Sequence, residues 1–148
     1  MTRLIKISST LPLMPRKEKS GTARGALVAP HAIEQRILSF RGYRVMLDRD
    51  LAELYGVPTG TLNQAVSRNI ARFPADFAFR LTADESVRLI SQSVISNGRG
   101  GNRHAPRVFT EQGVAMLSSV LRSRRAVDVN IGIMRAFVRV RELLATHR

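Results

Sequence analysis

A mostly helical α+β single domain follows from three features of this sequence. Two helical periods meet at a glycine corner between Asp48 and Ser67, in DRDLAELYGVPTGTLNQAVS. Short runs of alternating apolar residues flank Arg41-Gly42 and recur at Phe77, Phe79 and Leu81, as small antiparallel strands do. Thr82 and Thr110 each stand in front of an apolar-striped segment, where a helix N-cap belongs.

Residues 1–30 carry Arg3, Lys6, Arg16, Lys17, Lys19 and Arg24 against one acid, Glu18, and sustain no period. They read as a disordered basic arm ahead of a domain spanning residues 31–148. The prolines at 12 and 15 argue against an amphipathic targeting presequence. In IEQRILSFRGYRVML, residues 33–47, Leu38 and Phe40 alternate before Arg41-Gly42, and Tyr43, Val45 and Leu47 alternate after it. A β-hairpin packed on the following helices is expected.

Those helices are expected to form a helix-turn-helix. Asp48 is placed to cap a helix running to Tyr55, with Leu51, Leu54 and Tyr55 on one face. Gly56 supplies the left-handed exit, and Pro58 presets the next helix. Ala52 and Gly56 are small where the two helices must approach. The second helix is expected over Thr59–Ala71, with Leu62, Ala65, Val66, Asn69 and Ile70 inward. Gly60, Asn63, Gln64, Ser67 and Arg68 then face outward. An ordinary αα-hairpin has the same signature.

Further on, Phe77, Phe79 and Leu81 suggest a half-buried strand that could act as a wing. Thr82-Ala83-Asp84-Glu85 makes a capping box for a helix from Ala83 to about Ser91. Residues 93–109 read as a loop, marked by Asn97-Gly98, Gly100-Gly101 and Pro106 and carrying Arg99, Arg103, His104 and Arg107. Thr110 opens a helix striped by Val114, Leu117 and Leu121. After a break at Ser123-Arg124-Arg125, a last helix spans Ala126–Ala145. It has Val127, Ile131, Met134 and Val138 on one side and Ile133, Phe137, Val140 and Leu144 on the next. So wide an apolar arc belongs to a central core helix or to a dimer seam.

The chain has 148 residues and a net charge of +13. The excess is not confined to the arm, since residues 31–148 hold eighteen arginines against ten carboxylates. A small chain so basic is attracted to polyanions, of which nucleic acid is the commonest. Cysteine is absent, which removes disulfides, thiolate metal sites and thiol nucleophiles. His31, His104 and His147 lack ligand spacing, and the glycines at 98–101 lack the Lys-Ser/Thr of a P-loop. Asp48, Asp50, Glu53, Asp84, Glu85 and Glu111 sit near helix starts, where electrostatics alone accounts for them. No enzyme and no cofactor is expected, and no apolar run reaches the roughly 20 residues of a membrane span.

A polar, cationic helix face beside basic loops suits a DNA duplex. Asn63, Gln64, Ser67 and Arg68 are expected nearest the base edges in a major groove. Thr61 and Arg72 are expected toward phosphates, with Arg99, Arg103 and Arg107 gripping the backbone alongside.

The blocks VMLDRDLAELYGV (45–57), NIARFPADFAFRLT (69–82), PRVFTEQGVAMLSSVL (106–121) and VNIGIMRAFVRVRE (129–142) resemble the KilA-N-related family of phage and bacterial DNA-binding domains. The likeness is to its ORF-six-N-terminal, phage antirepressor-like branch, and it covers most of residues 33–143. It implies an α+β fold, sequence-related binding of double-stranded DNA and a cytoplasmic role in phage or prophage gene control. It supplies no contact residues; those above come from helical geometry. Many relatives continue into a variable second domain, whereas this sequence ends soon after the likeness does, so no second-domain effector is expected. The alternative is an antirepressor-like module that binds another regulator instead of DNA. The partners admitted are therefore double-stranded DNA, a second copy through the C-terminal helix, or a repressor protein, and no membrane.

Overall fold

The computed structural model describes residues 29–92 and 105–146. A short helix α1 (Pro30–Glu34) leads into the hairpin β1 (Leu38–Phe40) and β2 (Tyr43–Leu47). Next come α2 (Asp48–Tyr55), α3 (Thr59–Arg68), a 3₁₀ turn (Ile70–Arg72), β3 (Ala78–Arg80) and α4 (Ala83–Gln92). The chain closes with β4 (Arg107–Thr110), α5 (Glu111–Leu117) and α6 (Arg124–Thr146). The strands form one antiparallel sheet in the order β1-β2-β4-β3, which bears out an α+β domain.

The hairpin turns on Arg41 (φ 55°) and Gly42 (φ 81°), two successive left-handed residues that match the twist of the strands they join. Register divides the sheet cleanly. Met46, Phe109 and Ala78 face the main helical core, while Leu38, Val45, Leu47 and Val108 face a second cluster closed by Leu81 and by Leu89 of α4. The sheet is thus a middle layer. The Thr82 capping box forms as expected: Thr82 N–H donates to Glu85 Oε1 at 2.9 Å, and Glu85 N–H donates to Thr82 Oγ1 at 3.1 Å.

β2 passes straight into α2, so the helix starts on the sheet. Its far end closes at Gly56 (φ 76°): Val57 N–H reaches the Ala52 carbonyl and Gly56 N–H the Glu53 carbonyl. Arg125 of α6 donates through Nε to the neighbouring Leu54 carbonyl at 3.1 Å. The torsion favours glycine, and a β-carbon there would lie 2.9 Å from that Nε and displace the Arg125 side chain from the Leu54 carbonyl. Gly113 is tighter still, because α5 presses on the chain leading into β3 and a β-carbon would come 1.9 Å from the Phe77 carbonyl oxygen. Buried α6 residues Ala126, Val129, Ile133, Ala136 and Phe137 run through the helical core. Tyr55 of α2 donates its hydroxyl to Asn130 Oδ1 at 2.6 Å, tying the corner to α6; burial pushes its phenol pKa up.

Several expectations change. Ile33 and Glu34 lie in a helix, not a strand: Pro30 presets the helix start, Ile33 is buried, and Glu34 pairs with Arg139 of α6. Leu47, not Asp48, holds the N-cap position of α2, and Asp48 is its first helical residue. The second helix stops at Arg68, short of Ala71, because Asn69 leaves helical torsions (φ −127°, ψ 34°) while its side chain donates to the Ala65 carbonyl. Ile70 thereby loses its inward phase and is 56% exposed. Arg107 is the buried first residue of an inner strand instead of a loop residue. The arm falls outside the described residues except for its last two, as does most of the glycine-arginine loop.

Candidate nucleic-acid interface

α3 enters the core through Leu62 and Val66, both fully buried. At about 100° per residue, Gln64 then lies roughly opposite the line midway between them. Gly60, Thr61, Ser67 and Arg68 are exposed around it. Among the described residues, Gln64, Ser67 and Arg68 make no side-chain hydrogen bond or ion pair within the chain, so their polar groups are open to an outside partner. No Asp or Glu occurs between Glu53 and Asp76, so nothing on α3 or the 3₁₀ turn repels a polyanion.

Asn63 behaves differently. It lies only about 80° from the buried midline, at the helix border. Its Nδ2 donates to Asp48 Oδ2 at 2.8 Å and to the Thr59 carbonyl at 3.2 Å, and its Oδ1 accepts from Arg107 Nη1 at 3.0 Å. Asp48 also accepts from Arg107 N–H (3.2 Å) and from Arg49 N–H (2.8 Å). Asp48 and Arg107 are buried at 5% and 7% exposure, and desolvation pulls the Arg107 pKa below its ordinary value. The expectation that Asn63 reads bases and that Arg107 grips phosphates is corrected accordingly: both are held inside a triangle joining α3, the start of α2 and β4. The helical phase already put Asn63 at a border, which is the signal that separates it from Gln64.

Arginines stand at both ends of α3. Arg80 of β3 lies opposite Arg107 in the sheet register, is itself exposed, and donates to the Ala105 carbonyl at 2.8 Å. Past the other end, exposed Arg72 donates to Ser119 Oγ at 3.1 Å, and exposed Arg122 donates to the Ser119 carbonyl at 3.3 Å. Neither Arg80 nor Arg122 stands out in the sequence, since only the fold sets Arg80 opposite Arg107 and Arg122 beside Arg72 at Ser119. Arg99 and Arg103 lie outside the described residues.

Among the described residues, no group of three His, Cys, Asp or Glu side chains is arranged to hold a metal ion. No helix there is long and apolar enough to cross a membrane. No curated protein and no solved structure matches the chain. The family model of the ORF6N domain matches residues 35–120, from the residue after α1 through the turn beyond α5. That span includes the hairpin, the glycine corner, α3 and the Asp48–Asn63–Arg107 triangle, and the chain accordingly belongs to the ORF6N domain family.

Proposed function

We propose that this chain binds double-stranded DNA with sequence preference and regulates phage or prophage transcription in the cytoplasm without catalysing a reaction. The observation that carries the reading is the outer ridge of α3: Gln64, Ser67 and Arg68 stand clear of the body with their polar groups unengaged among the described residues. An amide, a hydroxyl and a guanidinium supply the donors and acceptors that base edges require. The Arg72–Arg122 neighbourhood and Arg80 add positive charge beside that ridge for phosphates. The resemblance of the four sequence blocks to KilA-N-type domains favours the same reading, as does the phage association of the ORF6N family.

The test is selection from random duplex DNA with the purified protein, repeated at two salt concentrations. A recovered motif supports the proposal, and binding that disappears entirely at moderate salt with no motif contradicts it. If about five phosphates are neutralised, log K falls against log salt with a slope of roughly −4 to −5. The antirepressor-like alternative draws on the apolar outer stripe of α6 and predicts a stoichiometric complex with a repressor in a protein blind to DNA.

A further inference from the structure

The outer face of α6 carries apolar residues that the monomer leaves largely uncovered, although Met134 packs in part against the helical core. Val127, Ile131 and Val138 are 47%, 46% and 40% exposed, and Met134 between them is half-buried. Their spacing of four, three and four is a heptad seam, which in solution seeks another helix. The seam ends at Arg141, which turns back to Glu111 of α5 at 2.7 Å. The stripe is also symmetric. Laid against an inverted copy of itself, Val127 meets Val138 and Ile131 meets Met134. Asp128 and Arg135 stand on the solvent flank of the stripe, exposed and without a hydrogen bond or ion pair among the described residues. In the same inverted register, Asp128 of one copy falls within about two residues, or roughly 3 Å along the axis, of Arg135 of the other. Two-fold symmetry makes that contact twice.

From this self-complementary pattern we propose that α6 forms an antiparallel two-fold dimer with a second copy of the chain. The layers are Val127–Val138 and Ile131–Met134, flanked by reciprocal Asp128–Arg135 ion pairs. Four apolar residues per copy make an interface at the small end of specific ones, so the dimer is concentration-dependent, with a dissociation constant on the order of micromolar. The proposal does not rest on DNA binding, and its test uses none.

Sedimentation of the full chain across the micromolar range is expected to show a monomer–dimer equilibrium. Ile131→Lys, at an exposed position, should give a monomer with unchanged helicity and, at concentrations below the wild-type dissociation constant, an unchanged unfolding midpoint. Asp128→Arg alone, or Arg135→Asp alone, should weaken dimerisation by about tenfold, since each reversal acts at two sites. The double swap Asp128→Arg/Arg135→Asp should restore it. Within one helix these residues are seven apart, about 10 Å along the axis, so rescue reports contact between copies. A monomer throughout the range, a dimer indifferent to Ile131→Lys, or a double swap that fails to rescue would overturn the proposal.

Discussion

Asn63 and Gln64 are neighbours on one helix with the same terminal amide, and the fold uses them in opposite ways. Asn63 is held by Asp48 and Arg107, inside a polar triangle that fixes α3 against α2 and the sheet. Gln64 faces solvent without a partner among the described residues. The inner polar edge of α3 therefore sets where the helix lies, and the outer ridge is left to recognise something else. The arginines divide likewise: Arg107 is buried and Arg68 is exposed. Residue type and net charge cannot separate these roles, but burial and hydrogen bonding can.

The sharpest way to break the contrast is to attack the triangle. Asp48→Ala leaves the Arg107 backbone N–H without its acceptor, Asn63 Nδ2 with only the Thr59 carbonyl, and the buried Arg107 guanidinium without a nearby negative charge. It should cost about 3 kcal/mol, read as a lowered midpoint in urea unfolding. Asn63→Ala should cost about 1–2 kcal/mol by leaving groups of Asp48 and Arg107 unpaired. Gln64→Ala should instead change stability by no more than about 0.5 kcal/mol. Equal destabilisation by Asn63→Ala and Gln64→Ala would erase the distinction. Arg68→Ala should also leave folding intact while lowering the preference for a selected site over an unrelated duplex by about 1–3 kcal/mol, measured by fluorescence anisotropy.

The smallest effect calibrates the others at a site remote from both edges. The Thr82 backbone N–H, then the Arg41 guanidinium, holds the Glu85 carboxyl below the usual glutamate range. Its folded pKa lies under its unfolded one, so the stabilisation is present above the ordinary glutamate value and is lost as pH falls through the folded value. Thermal melts of Glu85→Gln should show a shallower acid-side decline than wild type, with little change between the two curves below that range.

Much of the fold was legible because local chemistry specified it. Gly56 can take the torsion its corner needs, and Asp48–Tyr55 is the helix that the sequence predicts. Thr82 with Glu85, and Thr110 with Gly113, cap the helices expected of them. α1 was not legible: five residues are too few to show a helical period, and Ile33, Ile37 and Leu38 suit a strand as well. β4 was hidden because all four of its residues are buried, so it shows no alternation, and it follows a glycine-rich loop. The pattern of the last helix fits either core or seam, and its two sides separate those uses: Ile133 and Phe137 are buried, while Val127, Ile131 and Val138 are exposed. The candidate ridge was legible at its centre, where Gln64 opposes the core, and misread at its border, where Asn63 joins a contact made across 44 residues of chain.

The most direct measurement compares wild type and Gln64→Ala for affinity toward a selected DNA site and toward an unrelated duplex at one salt concentration. Outward amide readout predicts that the specific-to-nonspecific ratio falls by roughly 1–3 kcal/mol while the unfolding midpoint stays put. A ratio unchanged by the substitution, with both affinities intact, would contradict it.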